Sequence, residues 1–177
     1  SGDEIVITNS CTEALGLCLR AVTQPGDTVA VESPAYYLML QLLETLGLKA
    51  LEIPTDPRTG VSVEALDLAT RDGRVAACLL VPNASNPLGS VMPDDKKRLL
   101  ATLTAARGVA VIEDDIYGDL HFGSQRPWPI KAFDTAGNVL LCSSFSKSLS
   151  PSLRIGFVAA GRYRPALQAR IGRETYV

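Results

Sequence analysis

The segment Val75-Ala76-Ala77-Cys78-Leu79-Leu80-Val81 is apolar at every position. A strand that alternates can face water on one side, but one without alternation must be covered on both faces, as in the middle of a parallel sheet. Parallel strands need a long crossover between them, usually a helix. The rest of the chain supplies both parts. Ile5–Thr8, Thr28–Val31, Lys49–Ile53, Val109–Ile112, Asn138–Cys142 and Ile155–Ala160 are further strand-like runs. Helical spacing links Ala14, Leu17, Cys18, Ala21 and Val22, and again Ala35, Leu38, Met39, Leu42, Leu43 and Leu46, with Pro34 at the expected helix start. Glu64–Thr70 reads as a short helix, and Pro93-Asp94-Asp95 opens another whose inward face is Leu99, Leu100, Leu103 and Ala106. Pro54–Gly60 reads as a loop. The pattern predicts an α/β fold of three layers, a mostly parallel sheet between helices.

A chain of 177 residues is long enough for one domain with a sizeable core. Its net charge of −2 gives no overall pull toward nucleic acid or an anionic membrane. No apolar run is long enough to span a bilayer, and Ser1-Gly2-Asp3-Glu4 lacks the charged start and apolar core of a signal peptide. Cys11, Cys18, Cys78 and Cys142 show no metal-ligand spacing and sit in or beside apolar runs, which predicts buried free thiols and a reducing, cytoplasmic setting. The chain opens on a strand and closes on Gln168-Ala169-Arg170-Ile171-Gly172, which looks like a helix start. The expectation is a piece of a longer protein.

In open α/β sheets ligands bind beyond the carboxyl ends of the strands. The residues that follow the apolar runs are therefore informative: Asn9-Ser10-Cys11-Thr12-Glu13, Pro34-Ala35-Tyr36-Tyr37, Pro82-Asn83-Ala84-Ser85-Asn86, Glu113-Asp114-Asp115-Ile116-Tyr117 and Ser143-Ser144-Phe145-Ser146-Lys147. Five strand ends aim polar or aromatic groups at one rim. Ser10-Cys11-Thr12 at a helix start can cradle an anion, because free N–H groups and the helix dipole point at it; taken alone it is more often only an N-cap. Asp114 is the candidate for a partly buried carboxylate needing a cationic partner, and Asp115 reads as a solvated turn. Lys147 alone would be a surface charge. Desolvated among other cations, it can instead act as an amine nucleophile, and Arg154 follows closely as a second charge for a phosphate. His121, the single histidine, reads as a loop residue and argues against a Ser-His or Cys-His mechanism. Trp128 is expected to pack a loop.

Asn86-Pro87-Leu88-Gly89, Asp114-Asp115-Ile116-Tyr117 and Ser144-Phe145-Ser146-Lys147 with Arg154, in this order and each after a predicted strand, resemble the fold-type-I pyridoxal phosphate enzymes of the class I/II aminotransferase superfamily. The resemblance runs from about Ile5 to Gly161. It implies that the chain is the large, cofactor-binding domain of that fold over residues 1–177, with an N-terminal segment and a C-terminal small domain lying outside it. It implies that Lys147 holds pyridoxal phosphate as a Schiff base and that Asp114 pairs with the pyridine nitrogen. Tyr117 and Asn86 match the partners of the ring hydroxyl, and Tyr36 matches the stacking aromatic. Ser10, Cys11, Thr12, Ser144, Ser146 and Arg154 match the phosphate cup. Two positions depart from the family pattern: Ser10 or Cys11 stands where glycine or glutamine is usual, and Leu88 replaces a common threonine.

Within the superfamily, Ile112–Leu120, Lys131-Ala132-Phe133-Asp134, Ser143–Lys147 and Arg154–Gly161 are most similar to the aminotransferase-like domain of MocR-like GntR transcriptional regulators. That likeness implies an effector-sensing domain that binds pyridoxal phosphate and an amino acid or related amine, a homodimer, and DNA binding only through a module outside this chain. The alternative is a free-standing aminotransferase moving an amino group between an amino acid and a 2-oxo acid. A scaffold that has lost the cofactor fits poorly with the joint retention of Lys147, Asp114, Tyr117, Asn86 and Arg154.

Overall fold

The computed structural model describes residues 4–174. The first three residues and Thr175-Tyr176-Val177 lie outside the described residues, and so do the readings that fall on them. In chain order the elements are β1 (Ile5–Thr8), α1 (Cys11–Val22), β2 (Thr28–Ser33), α2 (Tyr37–Thr45), β3 (Lys49–Asp56), β4 (Gly60–Val61), α3 (Val63–Ala69), β5 (Val75–Leu80), α4 (Asp94–Arg107), β6 (Ala110–Asp114), β7 (Val139–Ser144), β8 (Gly156–Ala159) and α5 (Arg164–Glu174). The strands form one sheet in the order β1-β8-β7-β6-β5-β2-β3-β4. The run from β7 through β6, β5 and β2 to β3 is parallel throughout. β8 lies antiparallel between β1 and β7, and β4 pairs antiparallel with β3.

Two apolar clusters cover the two faces. Leu15, Cys18 and Leu19 of α1, Met39 and Leu43 of α2 and Leu167 of α5 pack on one face, against Val29, Val31, Leu79, Ile112 and Leu140. Val63 and Leu66 of α3 and Leu100 and Ala101 of α4 pack on the other, against Ala30, Cys78, Leu80, Val111 and Val139. Sheet residues alternate between the clusters because successive strand side chains point to opposite faces. Burying a side chain such as Leu79 or Ile112, 1 % and 0 % exposed, contributes about 1.5–3 kcal/mol. The three-layer, mostly parallel α/β arrangement predicted from the apolar runs is the one observed.

Some local expectations are corrected. Pro34 does not open α2. It follows a cis Ser33–Pro34 bond, and the helix begins three residues later with Tyr36 as its N-cap. Pro54–Gly60 is not a free loop: β3 runs on to Asp56 and turns back into β4. The inward face of α4 is Lys97, Leu100, Ala101 and Thr104, whereas Leu99 is 54 % exposed and Ala106 is exposed as well. Two strands do not have both faces covered: β1 alternates exposed and buried, and β3 is mostly exposed. The terminal helix α5 starts at Arg164, four residues before the predicted start. No helix among the described residues is long and apolar enough to cross a membrane.

Candidate functional site

Because β1, β2, β5, β6 and β7 run in the same direction, their carboxyl ends lie on one edge of the sheet. β8 runs the other way, so its amino end and the preceding Arg154 arrive at that same edge. A cavity of about 230 Å³ opens there, and all eleven predicted site residues line it: Ser10, Cys11, Thr12, Tyr36, Asn86, Asp114, Tyr117, Ser144, Ser146, Lys147 and Arg154. Apolar walls that were not anticipated complete it, from Leu15 on α1, Leu38, Met39 and Leu42 on α2, and Val81 and Ile116 at strand ends. The apolar positions on α2 read in sequence simply as core, which gave no sign that they also border a ligand.

Asp114 is the most buried acid of the cavity at 7 % exposure, and burial pushes its carboxyl up to about 6. Its Oδ1 accepts from Ile116 N at 3.1 Å and from the Cys11 thiol at 3.3 Å. Among the described residues no cationic side chain forms an ion pair with Asp114. The nearby guanidinium, that of Arg126, pairs with Asp115 instead.

Asp115 is a correction. It is 2 % exposed, not a solvated turn. The period-2 alternation of β6 sends Asp114 to the α1 face and Glu113 to the α4 face. Beyond the strand, Asp115 joins the polar groups of that second face. Its Oδ1 accepts from Asn83 Nδ2 at 2.9 Å and its Oδ2 from Arg126 Nη2 at 2.5 Å. Asn83 Oδ1 in turn accepts from the fully buried Lys97 at 2.8 Å, and Lys97 also donates to the Trp128 carbonyl at 2.6 Å. Burial lowers the Lys97 ammonium. Trp128 thus holds its loop by its backbone, and its ring is 61 % exposed. Glu113 accepts from Ile130 N at 2.7 Å and Lys131 N at 2.9 Å, and burial pushes its carboxyl up to about 8.

The amino end of α1 forms another wall. Ser10 is its N-cap, and its Oγ accepts from Glu13 N at 3.1 Å, so the capping expectation holds for that hydroxyl. Thr12 is exposed on the first turn. Arg154 is exposed and takes a left-handed backbone at φ 50, ψ 43, a conformation that costs energy for a side chain of this kind and recurs at functional sites. Lys147 is exposed on the loop after β7. An amine, a buried carboxylate, a phenol, an amide and a helix amino end with hydroxyls and a guanidinium therefore face one cavity. That donor set fits an anionic, nitrogen-containing ring compound: the helix end, hydroxyls and guanidinium suit a phosphate, and the deep carboxylate suits a protonated ring nitrogen. His121 is half-buried in the loop after β6, away from this cavity. All four cysteines are buried free thiols.

The family model for aminotransferase class I and II matches residues 1–176. The HTH-type transcriptional regulator YjiR of Escherichia coli K12 is 50 % identical over 167 residues, which cover 94 % of this chain and 36 % of that protein. YdcR, a second HTH-type transcriptional regulator of the same organism, is 50 % identical over 168 residues, with 95 % and 36 % coverage. The crystal structure of a Pyrococcus horikoshii kynurenine aminotransferase, in complex with PMP, superimposes with a TM-score of 0.86 at 33 % identity over 96 % of this chain and 43 % of that one. The chain spans about a third of the length of these two regulators.

Proposed function

The chain belongs to the aminotransferase class I and II family, and from that premise we propose that it is the pyridoxal phosphate-binding large domain of an aminotransferase-like fold. We further propose that this domain is the effector-sensing part of a GntR/MocR-type transcriptional regulator. The observation that carries the cofactor reading is the convergence of Lys147, Asp114, Tyr117, Asn86 and Arg154 on one cavity. The 50 % identity to two HTH-type regulators supports the sensing role.

The residues divide the work as follows. Lys147 Nζ would hold the cofactor and would be the group that passes a proton to or from a bound amine. Asp114 would pair with the ring nitrogen and keep a proton on it. Tyr117 and Asn86 would bond the ring hydroxyl, and Tyr36 would supply an aromatic wall for the ring. The amino end of α1 with Ser10 and Thr12, together with Ser144, Ser146 and Arg154, holds the phosphate. When bound, pyridoxal phosphate supplies an electron sink for charge developing next to an amino group. An amino acid or related amine is the proposed effector or substrate, the full-length protein is proposed to be a cytoplasmic homodimer, and DNA is reached only through a module outside this chain.

A free-standing aminotransferase is the second reading, favoured by the close superposition on the kynurenine aminotransferase. Titration of the full-length protein with pyridoxal phosphate tests the shared core. A visible absorbance band lost in Lys147→Ala is expected, and equal spectra for the two proteins would sink the reading. Cofactor- or amine-dependent DNA retardation, without turnover of 2-oxo acids, would then select the regulator. Sustained transamination without DNA binding would select the enzyme.

A further inference from the structure

Cys11 stands at the amino end of α1, and its side chain makes a hydrogen bond to a carboxylate on another element. Its Sγ lies 3.3 Å from Oδ1 of Asp114, more than a hundred residues away in sequence, and the thiol is 4 % exposed. Among the described residues two donors reach this carboxylate, Cys11 Sγ and Ile116 N, and both go to Oδ1. Oδ2 is thereby left for a group in the cavity that Asp114 lines. We propose that Cys11 is a positioning residue for Asp114: its thiol fixes the carboxylate by one oxygen so that the other is presented to the cofactor's ring nitrogen. This rests on the pyridoxal phosphate reading above.

The chemistry of the pair supports a donating thiol. Burial first, and then the Asp114 charge, holds the Cys11 thiol well above its ordinary range, so it keeps its proton at neutral pH and donates it to the carboxylate. A thiol is a weak donor. It orients the carboxylate while taking less of its basicity than a stronger donor would. The place of Cys11 in the fold makes the contact specific. It is the first residue of α1, so it is anchored by the Ser10 cap, and the α1 face of the sheet is where alternation along β6 directs Asp114. The other charged or titratable groups around Asp114 are Cys18 behind Cys11 on α1, Cys142 on β7, Asp115 just past the end of β6 and Glu32 on β2, with Lys147, Tyr117 and Arg154 across the cavity. Among these, Cys11 is the one whose side chain donates a hydrogen bond to Asp114.

The test uses the full-length protein and the variants Cys11→Ala, Cys11→Ser and Asp114→Ala. In the cofactor-free protein, the infrared S–H stretching band should contain a hydrogen-bonded component that Cys11→Ala removes and Asp114→Ala shifts toward the free-thiol position. In titrations with pyridoxal phosphate, Cys11→Ala should weaken binding roughly three- to tenfold, the net worth of one ordinary hydrogen bond, because the thiol is a weak donor. Removing the donor leaves Asp114 easier to protonate, so the acid limb of the affinity-against-pH curve should move to higher pH. Cys11→Ser, a stronger donor, should restore affinity and bring the acid limb back to the wild-type pH or below it. An S–H band indifferent to Asp114, or a Cys11→Ala protein with wild-type affinity and wild-type acid limb, would overturn the inference. Wild-type protein that binds no pyridoxal phosphate would instead overturn the cofactor reading itself.

Discussion

Asn83 Nδ2 donates to Asp115 Oδ1 across 2.9 Å and so ties the loop after β5 to the end of β6. The two loops that carry Asn86 and Tyr117 start from these residues, so the tie sets the distance between two walls of the cavity. Lys97 closes the network from below through Asn83 Oδ1 and the Trp128 carbonyl while being 0 % exposed. Removing one member of a buried charged network leaves the others unpaired, which costs about 3–5 kcal/mol. Lys97→Met is therefore expected to lower the urea midpoint by that equivalent, although methionine matches the stem of lysine. An unchanged midpoint would show that the network adds nothing to stability.

Glu32 leads to a pH prediction. It is 4 % exposed, Val81 N donates to its Oε2 at 3.2 Å, and its buried Oε1 has no hydrogen-bond partner among the described residues. Burial pushes its carboxyl from 4.5 up to about 8. Between those values the unfolded chain has released the proton while the folded chain still holds it. Its contribution is thus present in full below pH 4.5 and is lost as pH rises toward about 8, by about 1.4 kcal/mol per pH unit at most. Glu32→Gln keeps an acceptor for Val81 N and cannot ionise. The melting-temperature advantage of Glu32→Gln over wild type should therefore grow from pH 5 to pH 8 and then level off. A difference that does not change with pH would contradict this.

The eleven cavity residues were legible because each sits within a few residues of an apolar run, and a polar cluster at the end of a buried strand has few other uses. The buried side of Asp115 was not legible. Its partners Asn83 and Arg126 lie 32 and 11 residues away and leave no periodic trace. Lys97 was hidden for a related reason: in the pattern of α4 a lysine marks the wet face, and this one turns inward because Asn83 and the Trp128 carbonyl await it. The reversed direction of β8 was equally silent, since Gly156-Phe157-Val158-Ala159 has the composition of either a parallel or an antiparallel strand. The hairpin of β3 and β4 was missed because its second strand is two residues long.

The four cysteines should resist thiol reagents. Each is buried, burial pushes the Cys78 thiol up to about 12, and Cys11 and Cys142 are raised well above their ordinary range. The thiolate is the reactive form, so burial and a raised pKa act in the same direction. Under native conditions, peptide mapping after treatment with an aromatic disulfide should find these positions unlabelled, and in denaturant it should find all four labelled. Rapid native labelling of Cys11 would show that the wall of the cavity opens at α1.

Two glycines separate a tolerant position from an intolerant one. Gly16 lies inside α1, where a Cβ would meet the flexible end of Arg20 at 3.6 Å and Leu42 at 3.7 Å, ordinary contacts. Alanine also suits a helix interior better than glycine, so Gly16→Ala should raise stability by about 0.5–1 kcal/mol. Gly156 pairs with Thr8 on one side and Ser144 on the other. A Cβ there would lie 2.5 Å from the Ser10 carbonyl carbon, 2.7 Å from its oxygen and 2.8 Å from Thr8 Oγ1. That oxygen accepts from Ala14 N at 3.1 Å and from Thr8 Oγ1 at 2.9 Å, so it cannot move without disturbing the first turn of α1. Gly156→Ala should cost about 1–3 kcal/mol and also weaken pyridoxal phosphate binding, because the displaced segment carries Ser10, Cys11 and Thr12. Thermal melts with and without the cofactor measure both effects. Wild-type melting and wild-type affinity in Gly156→Ala would mean that the α1 amino end is free to retreat, and that its position does not set the site.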